Sequence, residues 1–216
     1  MGFEAVIFDN DGVLVPTLMD AYYGAQAVRK AFGCEMSDPG TYFKESGAVE
    51  RYIDYLRIGV PSHVSDKEIW RIYREASDNR PVKRAYPGAI ELVASLRSSG
   101  KKVAVVSACA QALTERKLAD VGLLNRFDLV IGGACPKTEA FKMACEQFGV
   151  RTDKAVLIED SPSGIREGVA LGLRCIGRCS LVSPTPEALA SAGACRVVSS
   201  LVEIFPFLSC KAISMA

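Results

Sequence analysis

The sequence has very little histidine and no long run of basic residues. Its one histidine is His63, so a zinc site or a Ser-His-Asp triad would depend on that residue alone. The surrounding Val-Pro-Ser-His-Val-Ser-Asp segment resembles a loop, which favours an ordinary surface histidine. The 26 basic and 25 acidic side chains give a formal net charge of +1. Without a basic stripe, neither a nucleic-acid partner nor a membrane-surface partner is expected.

The chain also lacks a Cys-x-x-Cys pair, although it has eight cysteines. The most closely spaced pair, Cys175 and Cys179, has no second pair to complete a tetrahedral metal site. Most of the others lie in apolar runs, where a free thiol behaves as a small hydrophobic side chain. No apolar run approaches the ~20 residues of a membrane helix, and the N-terminus does not resemble a signal peptide. We therefore expect a cytoplasmic protein with reduced cysteines.

What the sequence does contain is an alternation of short apolar runs with segments of helical period. The predicted strands are Glu4–Phe8, Lys102–Val106, Phe127–Ile131, Ala155–Ile158, Arg174–Ile176 and Arg196–Val198. The helical segments between them are Ala89–Ser99, Ala110–Val121, Thr138–Phe148, Ser163–Leu171 and Thr185–Ala192. This alternation predicts an α/β protein whose Rossmann-like parallel sheet is covered by helices on both faces.

One long segment interrupts this alternation. Between Pro16 and Arg84 the pattern is helical and no strand is predicted. The predicted helices there are Leu18–Phe32, Ala48–Leu56 and Asp66–Ser77. We expect residues 1–15 and 85–216 to form the catalytic core, and residues 16–84 to form a small helical cap that closes over it and excludes water. The cap charges are interpreted as a solvated helix face rather than a substrate clamp; they are Lys44, Glu45, Arg51 and Arg57.

Polar groups follow four of the predicted strands at the point where each strand ends. They are Asp9 and Asp11 after the first, Ser107 after the second, a Gly-Gly-Ala-Cys-Pro-Lys segment after the third, and Glu159 and Asp160 after the fourth. Chemistry in a parallel α/β sheet collects at this edge. Four carboxylates meeting there would repel one another unless a cation lay among them. Oxygen ligands together with a phosphate substrate favour Mg²⁺.

The spacing of Asp9 and Asp11 indicates that the two carboxylates can act together. Side chains at i and i+2 of a strand point the same way, so both carboxylates can face one substrate atom. One can act as a nucleophile that forms an aspartyl-phosphate, and the other as general acid and then base. Gly12 permits the tight turn that follows. A Ser107 hydroxyl and a lysine ammonium would help to offset the phosphoryl charge.

These segments carry a family resemblance. Phe-Asp-Asn-Asp-Gly-Val-Leu, from Phe8, resembles the first motif of the haloacid dehalogenase superfamily. Val-Val-Ser-Ala, ending at Ala108, resembles the second motif, and Ile-Glu-Asp-Ser-Pro-Ser-Gly, from Ile158, resembles the fourth. The ordered set on successive strand ends is far more specific than any one motif. The resemblance covers essentially the whole chain, including the helical cap.

The resemblance implies a role for each site residue. Asp9 would be the nucleophile, Asp11 the acid and base, and Ser107 a phosphate contact. The Mg²⁺ ligands would be Asp9, Asp160 and the backbone carbonyl of Asp11, with Glu159 as a ligand or a neighbour of one. The implied activity is hydrolysis of a small phosphorylated metabolite, a phosphate monoester of the phosphoglycolate or sugar-phosphate type.

The third motif departs from the family pattern. It usually reads Lys-Pro-x-Pro-(Asp or Glu)-x-Phe, whereas the aligned segment here is Cys135–Phe141, with cysteine in the lysine position. Lys137, two residues further on, is expected to supply the ammonium; otherwise the site would lack its cation. A second departure is Pro16, where relatives often have aspartate.

Three alternatives remain open at this point, as does the oligomeric state. A haloacid dehalogenase would also use Asp9, but it has no use for a second acid at Asp11 or for a Mg²⁺ cluster. A sugar-phosphate mutase shares every core motif and differs mainly in its cap. A weakly active or non-catalytic binder of phosphorylated ligands would be consistent with cysteine in place of the motif lysine.

Overall fold

A computed structural model describes residues 2–46, 52–82, 84–180 and 184–209 of the chain. Contacts between Cα atoms divide these residues into two compact units. One unit comprises the residues up to Pro16 together with those from Val82 to Ser180 and from Pro184 onwards. The other is Thr17–Pro81.

The first unit contains a six-stranded parallel sheet. Its strands are β1 (Ala5–Phe8), β2 (Lys102–Val106), β3 (Leu129–Ile131), β4 (Ala155–Glu159), β5 (Arg174–Arg178) and β6 (Arg196–Val198). They are arranged in the order β3-β2-β1-β4-β5-β6, and every neighbouring pair is parallel. The strand order reverses at β1, which pairs with both β2 and β4. The predicted α/β class with a Rossmann-like parallel sheet is confirmed.

Helices lie between successive strands of the sheet and after the last one. In chain order they are α1 (Leu18–Ala31), α2 (Pro39–Ser46), α3 (Tyr52–Arg57), α4 (Asp66–Ser77), α5 (Ala89–Ser98), α6 (Gln111–Asp120), α7 (Thr138–Phe148), α8 (Pro162–Ala170), α9 (Pro186–Ser191) and α10 (Phe205–Ser209). Helices α1 to α5 lie between β1 and β2, so the predicted helical insertion after the first strand is confirmed. None of the helices in the described part of the chain is both long and apolar enough to span a membrane.

The sheet is apolar on both faces, as its sequence requires. Successive residues of a strand point to opposite faces, so the four buried residues of β1 divide between two hydrophobic clusters. Val6 and Phe8 pack on the face covered by α5, while Ala5 and Ile7 pack on the face covered by α7. β1 is therefore a fixed central strand, and the residues that follow it start from a rigid point.

The second unit has an aromatic core of its own. Tyr42, Tyr55 and Ile69 are fully buried there, among further tyrosines and Trp70. Helix α2 was not predicted; Asp38 stabilises its start by accepting hydrogen bonds from the backbone N–H groups of the next turn. The predicted helix Ala48–Leu56 lies partly outside the described residues, as does Arg51.

Candidate active site

Asp9 and Asp11 lie at the carboxyl end of β1, where the chain turns sharply. The backbone N–H of Asp9 donates to Ile158 O at 2.9 Å and so continues the pairing with β4 for one more residue. The Asn10 carbonyl then accepts hydrogen bonds from two N–H groups at the far side of the turn. Gly12 has a φ of 81°, which a residue with a Cβ would adopt only with strain. The turn therefore fixes the backbone of both aspartates.

Lys137 connects Asp9 to the end of β4. It precedes the first residue of α7, and its Nζ lies 2.6 Å from Asp9 Oδ1 and 2.7 Å from Glu159 Oε2. Only 12% of its side chain is exposed. The structure thus places an ammonium against Asp9 although the motif position, Cys135, carries an exposed thiol.

Glu159 is held by hydrogen bonds on both carboxylate oxygens. Its Oε1 accepts from the backbone N–H groups of Asp160 and Ser161 and from the Ser161 hydroxyl, each at 3.0 Å, while Oε2 accepts from Lys137. Burial opposes its charge, but Lys137 and Ser161 outweigh burial and lower the pKa of Glu159. A Cβ at Gly164, in the first turn of α8, would collide with Oε2. Glu159 is therefore a fixed negative charge in a space that only glycine leaves open.

Asp9, Glu159 and Asp160 form a buried carboxylate cluster. One oxygen from each lies within 4.8 Å of the others. Burial and then the Glu159 charge raise the pKa of Asp9 to about 7, even with Lys137 acting in the opposite direction. Burial and the charges of Asp9 and Glu159 likewise raise the pKa of Asp160 well above its usual value. Three carboxylates against one ammonium call for a further cation, and an oxygen-only donor set of this size fits Mg²⁺.

Asp11 faces a second group of side chains. Its Oδ1 accepts from the Nζ of Lys117, a residue of α6 that is only 5% exposed. Its Oδ2 lies 3.5 Å from the Ser107 hydroxyl and 3.4 Å from Cys109 Sγ. Ser107 itself is buried, and its Oγ accepts from the Cys109 N–H at 3.1 Å. The structure thus brings Ser107 and Asp11 together at the ends of β2 and β1.

The Cys109 thiol does not act as a nucleophile in this setting. Burial, followed by the charge of Asp11, raises its pKa to about 12, so the sulfur stays protonated near neutral pH. Its place beside Asp11 makes it a packing and weak hydrogen-bonding group. His63, interpreted from the sequence as an ordinary surface residue, is exposed.

Lys117 is a residue of the site that was not predicted from the sequence. Helix α6 has a buried face made of Thr114, Lys117 and Leu118, spaced three and four residues apart. A lysine at such a position is unusual, since an uncompensated charge is seldom buried. A lysine on a buried helix face indicates a buried partner of opposite charge, but the pattern does not identify that partner as Asp11.

The sequence of the chain matches a known family model. The model describes haloacid dehalogenase-like hydrolases and matches residues 6–178. The match begins in β1 and ends at Arg178, the last residue of β5, so it includes every residue of the site described above.

Curated proteins similar to this chain include phosphatases. A phosphoglycolate phosphatase from Nitrosococcus oceani is 25% identical over 185 residues, which cover 80% of this chain and 82% of that protein. The chloroplast protein Suppressor of Quenching 1 from Arabidopsis thaliana is 28% identical over 184 residues. That alignment covers 80% of this chain and only 17% of the Arabidopsis protein, so the chain corresponds to one part of a much longer relative.

Solved structures agree with this assignment. A Thermotoga maritima protein described as a β-phosphoglucomutase superposes with a TM-score of 0.73 at 25% identity, covering 95% of this chain and 98% of that one. A haloacid dehalogenase family hydrolase from Deinococcus radiodurans, solved with bound phosphate and sodium, gives 0.74 at 26% identity, covering 96% and 95%. The predicted enzyme class, a phosphatase of this superfamily, is confirmed. The chain belongs to the haloacid dehalogenase-like hydrolase family, close to its phosphoglycolate phosphatase and β-phosphoglucomutase branch.

Proposed function

We propose that the protein hydrolyses a small phosphate monoester, of the phosphoglycolate or sugar-phosphate type, through an aspartyl-phosphate formed on Asp9 with Mg²⁺ as cofactor. The observation that carries this proposal is the contact of one buried ammonium, that of Lys137, with both Asp9 and Glu159 inside a carboxylate cluster. This arrangement holds a carboxylate nucleophile in place and puts positive charge where a phosphoryl group would arrive.

In the first half of the reaction, an Asp9 carboxylate oxygen attacks phosphorus in line with the leaving group. The bond from phosphorus to the ester oxygen breaks, and Asp11 gives that oxygen a proton. The spacing of Asp9 and Asp11 on β1 allows both to face the same phosphoryl group. Ser107, at the end of the adjacent strand β2, donates a hydrogen bond to a phosphoryl oxygen.

In the second half, Asp11 accepts a proton from water as the water oxygen attacks phosphorus. The bond to Asp9 breaks, inorganic phosphate leaves, and the Asp9 carboxylate is restored. Lys137 stays bound to Asp9 and Glu159 throughout and stabilises negative charge in both halves. When bound by Asp9, Asp160 and the Asp11 carbonyl, Mg²⁺ would supply the remaining positive charge.

The substrate class is suggested by the relatives and by the site together. The Nitrosococcus oceani relative is a phosphoglycolate phosphatase, and the Deinococcus radiodurans structure holds phosphate. A buried, carboxylate-rich site that needs a divalent cation suits a small dianionic phosphate ester. The proposed partner is therefore a small phosphorylated metabolite.

The test is phosphate release from a panel of phosphate esters that includes 2-phosphoglycolate and several sugar phosphates. We expect Mg²⁺-dependent turnover of at least one ester, loss of turnover in EDTA, and no turnover by Asp9→Asn, whose amide is nearly isosteric but cannot attack phosphorus. Activity of Asp9→Asn within tenfold of the unmodified protein would overturn the nucleophile assignment. Conversion of a sugar 1-phosphate to the 6-phosphate with little phosphate release would instead identify a mutase, the activity named for the Thermotoga maritima neighbour.

A further inference from the structure

Each of the two aspartates after β1 is bound by its own buried lysine. Lys137, from the start of α7, binds Asp9 and belongs to the function proposed above. Lys117 comes from a different element, the last turn of α6, and binds Asp11. Its side chain is 7% exposed against 22% for Asp11, so the ammonium end is enclosed by protein while the carboxylate still reaches the site.

The contacts on the two oxygens of Asp11 are unequal. Oδ1 receives the charged hydrogen bond from Lys117. Oδ2 has weaker neighbours: Asn10 Nδ2 at 3.3 Å, Cys109 Sγ at 3.4 Å and the Ser107 hydroxyl at 3.5 Å. The contact with Lys117 joins two opposite charges where little water reaches the ammonium, whereas the donors to Oδ2 are neutral groups at the long end of the hydrogen-bond range. Among these contacts, the one with Lys117 therefore does most to hold the Asp11 carboxylate in its rotamer.

Lys117 is itself held by a rigid support. One turn earlier on α6, the Thr114 hydroxyl donates to the Cys109 and Ala110 carbonyls at 3.1 and 3.2 Å. Those hydrogen bonds fix the helix to the loop that follows β2, the same loop that carries Ser107. The Lys117 ammonium also lies 3.6 Å from Cys109 Sγ. The loop, through Ser107 and Cys109, and the helix, through Lys117, thus both contact Asp11.

We propose that Lys117 is a positioning residue, which fixes the Asp11 carboxylate in the orientation that proton transfer needs and acts through Asp11 rather than on the substrate. The role as acid and base rests on the proposed function; the orientation of Asp11 does not. An apolar side chain would fill this position on the buried face of α6 without the cost of burying an ammonium. The cost of burying this ammonium is offset by the Asp11 carboxylate that it meets, so the two side chains hold each other in place.

The kinetic test uses Lys117→Met, which keeps the length and apolar stem but removes the charge. We expect kcat to fall at least ~30-fold with KM within threefold, because small errors in placing a catalytic group lower the rate strongly. Lys117→Arg keeps the positive charge, so its decrease in log kcat should be smaller than that of Lys117→Met by at least a third. Lys102→Met, an exposed lysine at the start of β2, should match the unmodified protein. A KM raised tenfold with kcat preserved would overturn the proposal, since it would show that Lys117 binds substrate.

A phosphate ester with a good leaving group separates positioning from a merely structural role. With p-nitrophenyl phosphate, Lys117→Met should keep a full burst of nitrophenolate, because nitrophenolate leaves without a proton, while steady-state turnover falls. A burst reduced in proportion to turnover, in a variant shown by circular dichroism to be folded, would contradict the proposal. If Lys117→Met does not fold, Lys117→Gln takes its place in the same assays.

Crystal structures of the variants test the orientation of Asp11 whether or not the protein is a phosphatase. In Lys117→Met we expect Asp11 to change rotamer, so that its carboxylate oxygens move by at least ~1 Å from their positions in the unmodified protein. In Lys117→Arg these oxygens should keep their positions. An unmoved Asp11 in Lys117→Met would overturn the positioning role. Absence of phosphatase activity in the unmodified protein, combined with a displaced Asp11 in the variant, would overturn the proposed function alone.

Discussion

Lys137 meets two carboxylates that belong to different strands, Asp9 after β1 and Glu159 at the end of β4. It can do so because β1 and β4 are paired neighbours in the sheet and α7 begins at the same edge. The ammonium is almost enclosed, so its attraction to both carboxylates acts in a low dielectric. At the scale of single residues, this contact is the one on which the proposed role of Asp9 as nucleophile depends most.

Replacement of Lys137 by alanine should lower kcat at least ~100-fold, comparable to the loss of one preorganised electrostatic contact. The reason is that Asp9 and the phosphoryl group would both lose their nearest protein cation. Steady-state kinetics on the best ester of the panel is the measurement. Lys142→Met, an exposed lysine further along α7, is the matched control and should leave kcat unchanged.

Cys135, at the lysine position of the third motif, allows a second test of whether Lys137 supplies the cation of the site. Cys135→Ala should be nearly silent, since its thiol is exposed. Cys135→Lys should not accelerate turnover, because Lys137 already occupies the place beside Asp9. A large acceleration by Cys135→Lys would show that the native site lacks its cation.

Gly164 leaves the space that the Glu159 carboxylate occupies. A Cβ there would collide with Glu159 Oε2, the oxygen that binds Lys137, so Gly164→Ala should displace Glu159 and Lys137 together. We expect kcat to fall at least ~10-fold and the free energy of unfolding to fall by ~1–3 kcal/mol, as for other overpacked sites.

Gly168→Ala, on the same helix, is the matched control. Its Cβ would meet Leu157 and Cys175 in the core rather than Glu159. It should lower the melting temperature while leaving kcat per folded molecule unchanged. Equal kcat for the two variants would show that Gly164 serves packing alone.

At the scale of secondary-structure elements, the site depends on where strands end. Four strand ends were predicted to carry the chemistry, and the sheet order places β1 between β2 and β4, which brings three of those ends together. The pattern of apolar and polar residues was sufficient to predict these strand ends, because buried parallel strands are continuous apolar runs that end at polar residues. The reach of a long side chain from a helix is not encoded in such a pattern, which is why the pairing of Lys117 with Asp11 could not be predicted.

The ends of strands also depend on tertiary contacts that the sequence pattern does not encode. β5 runs to Arg178, two residues beyond its prediction, because Gly177 and Arg178 pair with β6. Neither glycine nor arginine signals a buried strand, yet a Cβ at Gly177 would press against Leu189 of α9. Tertiary packing there overrides local propensity.

Arg178 ties the end of β5 to the turn after β1. Its Nη1 donates to the Gly12 carbonyl, and its guanidinium lies 3.5 Å from the centroid of the Tyr86 ring. Arg178→Met should lower the free energy of unfolding by ~1–3 kcal/mol, since a buried carbonyl loses a charged donor. It should also lower kcat several-fold, because the turn carries Asp11. Arg174→Met, at the exposed start of β5, is the control for both denaturation and kinetics.

At the scale of the whole molecule, the carboxylate cluster opposes folding unless a cation binds. Asp9, Glu159 and Asp160 are buried close together; burial first, and then repulsion from neighbouring carboxylates, raises the pKa values of Asp9 and Asp160. A ligand that binds only the folded state stabilises it by about 2.7 kcal/mol at a concentration 100 times its Kd. The cluster therefore couples metal binding to the stability of the entire core.

Thermal unfolding should reveal this coupling directly. With Mg²⁺ at ~100 times its Kd, we expect the melting temperature to rise by roughly 5–10 °C, from the usual 2–4 °C per kcal/mol for a chain of this size. EDTA should reverse the rise. Asp160→Ala should lose most of the Mg²⁺ response, and its apo form should melt no lower than the unmodified apo protein, because the substitution also removes one repelling carboxylate. Asp153→Ala, an exposed carboxylate paired with Arg151, should keep the full response. A full Mg²⁺ shift in Asp160→Ala would place the ion elsewhere and would leave the clustered carboxylates without the partner that their burial requires.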